Sequence, residues 1–162
     1  MNDTRGESSP VRFYLDSNVY DQLTEETQDR IRLLAETGRA KFYSTHVTED
    51  ELGAIPPEKA KKRAALTAVA EELAEDVHSI PMVWDFSPWD RSRWGDELSR
   101  AIYDALKPKH GPGDAIHVAT ADNIGCDYFV TEDKDLIEDI EALEIRMKAK
   151  SFDQMLGLLM AL

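Results

Sequence analysis

The sequence predicts an α/β domain built on a mainly parallel sheet, and three observations carry that prediction. Short β-prone segments alternate along the chain with stretches of helical periodicity. The first strand segment, Val11-Arg-Phe-Tyr-Leu15, is apolar in the manner of a strand covered on both faces. Two strand segments also run straight into acid-bearing turns, Asp16-Ser-Asn18 and Thr131-Glu-Asp133. Parallel sheets place their sites beyond the carboxyl ends of strands, near the point where strand order reverses.

The elements follow in order. Residues 1 to 10, MNDTRGESSP, read as a flexible polar tail, and residues 11 to 162 as one domain. After the first strand, Val19, Leu23, Thr27, Ile31 and Leu34 recur at three or four and predict one amphipathic helix closed by Gly38. Lys41 to Thr45 is a second strand. Val47-Thr-Glu-Asp-Glu-Leu52 carries a helix-start signature, with Thr48 as cap and Glu51 three residues on, before Pro56-Pro57 interrupts it. A long helix is expected from about Glu58 to Val77, with Leu66, Val69, Leu73 and Val77 as its buried stripe. Ile80 to Trp84 reads as an edge strand because of Pro81.

Trp94, Leu98, Ile102 and Ala105 predict a helix ended by Pro108, and Gly111-Pro-Gly113 a loop. Asp114 then heads an Ala-rich helix that stops at Gly125. Tyr128 to Val130 is a strand, Asp135 to Leu143 a short helix and Glu144 to Lys148 a last strand. Ser151-Phe-Asp-Gln154 is a capping box opening a terminal helix.

Composition sets the bounds. At 162 residues and 42% hydrophobic the chain supports one ordinary core. A single cysteine, Cys126, excludes an internal disulfide and a Cys-rich zinc site, and suits a reducing compartment. The N-terminus lacks the apolar stretch of a secretory signal, and the longest apolar run, Leu158 to Leu162, cannot span a bilayer. The expectation is a soluble, cytoplasmic protein with no membrane partner.

The net charge of −13 runs against phosphate binding, which draws on Lys and Arg. The charge is uneven, however. Lys59, Lys61, Lys62 and Arg63 fall within five residues, whereas Glu132 to Glu144 holds seven acids and one base. An acidic surplus also suits a high-salt habitat, a basic partner or a metal site.

Carboxylates bind hard cations such as Mg2+ and Mn2+, and two such ions about 4 Å apart activate water and stabilise the leaving oxygen of a phosphodiester. Singly, each candidate acid has a structural reading: Asp16 and Asp133 as turn residues, Glu51 in its capping box, Asp114 as a helix cap. Acids at the ends of two separate buried strands are harder to explain that way. If they are crowded, Asp16→Asn and Asp133→Asn should relieve repulsion in the metal-free protein. Lys61, Lys62 and Arg63 are candidate phosphate contacts, with a solvated helix face as the equal alternative.

Taken together, Phe-Tyr-Leu-Asp16-Ser-Asn18, Ser-Thr-His-Val-Thr-Glu-Asp-Glu51-Leu, Gly-Asp114-Ala-Ile-His-Val-Ala-Thr-Ala121 and Phe-Val-Thr131-Glu-Asp133-Lys-Asp-Leu136 resemble, in order, the four acidic motifs of PIN-domain nucleases. The likeness spans residues 11 to 155. It implies a five-stranded, mainly parallel sheet in order 3-2-1-4-5 flanked by helices, and an Mg2+- or Mn2+-dependent endoribonuclease. Asp16, Glu51, Asp114 and Asp133 would be the catalytic metal ligands, while Asn18 and Thr131 would hold the rim by hydrogen bonds. Many members are VapC-type toxins restrained by an antitoxin, so RNA and an antitoxin protein are the implied partners. A homodimer is compatible with the sequence, which leaves the oligomeric state open. His117 departs from the aliphatic residue usual at its position; it reads as a site residue at i+3 from Asp114 or as a helix-flank histidine. The Trp84 to Trp94 segment has no counterpart in the pattern.

Three rival classes are weighed. A catalytically silent PIN-like module would bind RNA or protein without cutting, and the full acid set argues against it. A haloacid-dehalogenase-like phosphatase needs a second acid two residues after the first, where this chain has Asn18. A receiver-type domain needs a phosphoacceptor Asp at its third strand and a later lysine beside it, and the chain offers no convincing pair.

Overall fold

Val11–Leu15 forms β1, the central strand of the computed structural model, which describes residues 9–45, 76–78, 80–81, 92–93 and 97–162. Its side chains explain the continuous apolar run: Phe13 and Leu15 enter one buried cluster and Tyr14 the opposite one, so both faces are covered. β1 pairs in parallel with β2 (Ala40–Thr45) on one side and β6 (Tyr128–Val130) on the other. β3 (Asp76–His78) and β7 (Lys148–Lys150) complete a five-stranded parallel sheet of order β3-β2-β1-β6-β7. A separate pair, β4 (Ile80–Pro81) with β5 (Ser92–Arg93), makes a two-stranded parallel sheet.

Stacked rings tie the strands across the sheet. Phe13 lies 5.4 Å from both Phe42 and Tyr128 on one face, and Tyr14 lies 5.4 Å from Phe129 on the other. Helices α1 (Glu25–Glu36) and α4 (Phe152–Ala161) cover the Phe13 face; α2 (Glu97–Ile124) and α3 (Lys134–Ala142) cover the Tyr14 face. The molecule is thus an α/β fold with a parallel sheet flanked by helices.

The structure corrects several element boundaries. The single helix expected over 19–34 is two pieces, a 3-10 turn at Ser17–Gln22 and then α1. Thr24 divides them because its hydroxyl accepts from the Thr27 amide and caps α1. α1 ends in a Schellman motif: Gly38 at φ 68 lets its own amide reach Ala35 O and that of Arg39 reach Leu34 O. Val77, expected on a helix, lies in β3 instead, and Ile80–Pro81 belongs to the small second sheet. The last strand lies at Lys148–Lys150, just beyond the 144–148 expected. Its predecessor Glu144 adopts φ 54 to leave α3, and the strand starts only after the chain has turned.

The Gly111-Pro-Gly113 loop is also replaced. Helix α2 runs through Pro108 and is broken by a single non-helical residue, Gly111 (φ 82, ψ 171). Pro112 restarts it, as proline does at a first helical position, and Asp114 falls in the renewed first turn rather than at a cap. The capping box at Ser151 is present as read, with the Ser151 hydroxyl on the Gln154 amide and Gln154 Oε1 on the Ser151 amide. The 46–75 segment, including the Thr48 and Glu51 helix start, the basic cluster and most of the expected long helix, lies outside the described residues. So does 82–91, within the tryptophan-bearing stretch. No helix among the described residues is long and apolar enough to cross a membrane.

Candidate metal centre

β1 and β6 are neighbours in the sheet but far apart in sequence, and strand order reverses between them. Leu15 and Val130 are register partners, and the Asp16 amide bonds Val130 O at 3.0 Å. Asp16 and Thr131 therefore emerge side by side at the carboxyl ends of the two strands, where parallel sheets bind ligands.

Thr131, fully buried, is the hub of this rim. Its hydroxyl donates to Asp16 Oδ2 at 2.8 Å and accepts from Asn18 Nδ2 and from the Asp133 amide, both at 3.2 Å. One donor and two acceptor positions are all that a hydroxyl has, so the group is saturated. Asn18 closes the ring by accepting the Glu132 amide on Oδ1, which fixes its amide orientation. Asp16, 4% exposed, also accepts the Ser17 amide on Oδ1 and so caps the 3-10 turn. The resemblance implies a supporting role for Asn18 and Thr131; in the structure they bond each other, Asp16 and the Glu132 and Asp133 amides.

Asp133 caps α3 through Oδ1, which accepts the Leu136 amide at 3.1 Å. Its structural and ligand readings are compatible, because the cap engages one oxygen. A carboxylate oxygen of Asp133, a carboxylate oxygen of Asp114 and a ring nitrogen of His110 all lie within 4.8 Å of one another, and the three residues are part-exposed. Opposite ligands of an octahedral Mg2+ stand about 4.2 Å apart, from bonds of about 2.1 Å, so small side-chain movements would let the three donors share one cation. The two carboxylates suit a hard cation such as Mg2+ or Mn2+, and an imidazole beside them favours a transition metal.

Asp114 and Asp133, from distant segments, are thus brought together, and Asp16 is joined to Asp133 through Thr131 without being one of the three clustered residues. Glu51, Lys61, Lys62 and Arg63 lie outside the described residues. His117 is fully buried, its Nδ1 is paired with the Tyr14 hydroxyl, and it is not one of the three clustered donors.

His110 is the residue the sequence did not single out. Its side chain is 5% exposed, and its Nε2 lies 2.6 Å from Asp139 Oδ2 on α3. Lys109 Nζ reaches the same oxygen at 2.8 Å. Hydrogen bonds from Lys109 and then His110 hold the Asp139 carboxyl below its ordinary value, and the bond to Asp139 raises Lys109. The available signal was Pro112 as a first helical residue, which places His110 four positions before Asp114 across a one-residue break.

No family model matches the sequence, and no curated protein matches it significantly. Among solved structures, the chain is similar to one in the crystal structure of VapBC2 from Rickettsia felis bound to a DNA fragment from their promoter. The TM-score is 0.56 at 12% identity, over 87% of this chain and 98% of that one. At that identity the likeness is one of fold.

Proposed function

We propose that the chain is a PIN-type, metal-dependent endoribonuclease spanning residues 11 to 162, with Asp16, Glu51, Asp114 and Asp133 as its acidic set. The observation that carries this reading is the convergence of Asp114 and Asp133 with a third donor at the reversal point of a parallel sheet, beside a buried and fully bonded Asp16. The β3-β2-β1-β6-β7 order and the fold shared with a chain of a VapBC2 assembly support it. We extend the reading, on the shared fold alone, to the toxin of a toxin–antitoxin pair, and keep a cytoplasmic setting as part of the proposal.

In this reading Asp114 and Asp133 hold the cation with His110, and Glu51 adds a further carboxylate. A bound Mg2+ or Mn2+ supplies Lewis-acid activation of water and neutralises charge on the phosphodiester. Asp16 accepts one hydrogen bond on each of its oxygens and places a fixed carboxylate at the rim. Thr131 and Asn18 keep both strand ends in register. Lys61, Lys62 and Arg63 are proposed to meet RNA phosphate, offsetting locally a net charge of −13.

The test is incubation of the purified protein with single-stranded RNA, structured RNA and single-stranded DNA, each with Mn2+, Mg2+ or chelator. Cleavage of RNA with either cation, none in chelator, and loss in Asp114→Asn and Asp133→Asn are expected. Full activity in chelator overturns the reading. RNA binding without cleavage under every cation leaves the silent binding module.

A further inference from the structure

α2 and α3 meet at a histidine–carboxylate pair, His110 and Asp139. Asp139 is not in the acidic set, yet it bonds the one non-carboxylate member of the donor cluster. Histidines that bind metals characteristically donate their second ring N–H to a carboxylate, which fixes tautomer and ring orientation. His110 and Asp139 have that arrangement. His110 Nε2 lies 2.6 Å from Asp139 Oδ2, the oxygen that Lys109 Nζ also reaches, so the carboxylate engages Nε2 and Nδ1 is the ring nitrogen left for a cation. Imidazole suits transition metals, whereas Mg2+ prefers oxygen and gives up water reluctantly.

We propose that His110 is a direct ligand of the centre, positioned by Asp139, and that this pair makes the site select Mn2+ over Mg2+. The inference rests on the cation-site reading above and deepens it. Asp139 is a positioning residue: it acts through His110 and touches no cation. Lys109 reaches the same Asp139 oxygen at 2.8 Å and helps to hold it in place.

The experiment is calorimetric titration of the metal-free, full-length protein and its variants with Mn2+ and with Mg2+. In the parent, Mn2+ binds more tightly than Mg2+. His110→Ala should lower Mn2+ affinity by about tenfold or more, a loss of the size seen when a metal's supporting shell is broken, while Mg2+ affinity changes much less. Asp139→Ala should lower Mn2+ affinity by about 10- to 100-fold, and Asp139→Asn, whose side-chain oxygen still accepts from Nε2, should restore most of it.

An equal loss for both cations in Asp139→Ala makes Asp139 a ligand and overturns its positioning role. If His110→Ala leaves the Mn2+ to Mg2+ ratio unchanged, or tightens both, His110 serves the acids as a counter-charge and the proposal fails. A measurement on the unaltered protein guards against variants that do not fold: imidazole nitrogen coupling to bound Mn2+ in pulsed electron paramagnetic resonance is expected, and its absence overturns the proposal. No cation binding by the parent sinks the nuclease reading too. Binding and cleavage that survive in His110→Ala at the parent's metal ratio sink this inference alone.

Discussion

At Thr131 one hydroxyl meets three groups, and that saturation separates two acids that the sequence treats alike. Both Asp16→Asn and Asp133→Asn remove a negative charge from a crowded rim. Asn is as good a helix cap as Asp, so Asp133→Asn keeps the bond to the Leu136 amide and should hold or raise stability in chelator. Asp16 accepts on both oxygens, and an Asn there presents its NH2 to a donor. Thr131 cannot turn to receive it because both its acceptor positions are engaged. Asp16→Asn should therefore cost about 1–3 kcal/mol by urea denaturation in chelator. A stabilised Asp16→Asn would show that repulsion outweighs the hydrogen-bond ring.

Cys126 gives a second prediction at this scale. Burial, reinforced by the Asp127 charge, pushes its thiol from an ordinary 9.0 up to about 12. The native thiol should resist iodoacetamide at pH 8 and react on unfolding. A raised native value contributes stability that is complete below pH 9 and lost as pH climbs toward 12. Cys126→Ala should remove that part of the alkaline loss, read from melting temperature against pH. The acids were legible as residues because strand ends announce them. His110 was not, since no spacing in the sequence ties it to Asp133 or Asp139, both on another element.

At the scale of elements, local signals held where a cap chemistry was complete and failed where one residue could change a helix's course. Ser151 with Gln154 carries both halves of its box, and the sequence shows it. The 19–34 periodicity suggests one helix although Thr24-Glu-Glu-Thr27 is itself a helix start; the apolar repeat continues across the cap and masks it. Gly-Pro-Gly suggests a loop, but only Gly111 leaves the helix. Two exchanges at positive φ test the physics. Gly111→Ala meets no atom within 4 Å, so backbone strain alone opposes it, at about 1–3 kcal/mol for a side chain held at φ 82, ψ 171. Glu144, a non-glycine at φ 54 just past α3, is the reverse case. Glu144→Gly should hold or raise stability by up to about 1 kcal/mol. Thermal melts of both read the outcome, and a destabilised Glu144→Gly would mean that its side chain has work beyond the turn. Gly111→Ala should also weaken cation binding, because Gly111 sets the offset between His110 and Asp114.

For the whole molecule, alternation of short β-prone runs with helical periodicity makes the α/β class legible, because short length and a turn trio such as Asp16-Ser-Asn18 mark an apolar run as a buried strand rather than a buried helix. The edges were not. Asp76–His78 is three residues long and reads in sequence as the tail of a helix. Charge sets the last prediction. A chain of net charge −13 carries self-repulsion that any salt relieves, so stabilisation by a divalent cation has two sources: general screening, and occupancy of one site. They separate at constant ionic strength, where screening is already paid in full by monovalent salt. With Mn2+ at about 100 times its dissociation constant, occupancy of a native-only site adds about 2.7 kcal/mol. For a domain of this size that raises the melting temperature by about 5–10 °C. Asp133→Asn and Asp114→Asn should abolish the rise. Surface exchanges elsewhere in the acidic stretch, such as Glu138→Gln, should leave it intact, since Glu138 is exposed and outside the cluster. A rise that persists in Asp133→Asn, or that equimolar Ca2+, Mg2+ and Mn2+ reproduce alike in every variant, would assign the effect to diffuse counter-ions and remove the centre from the account of stability.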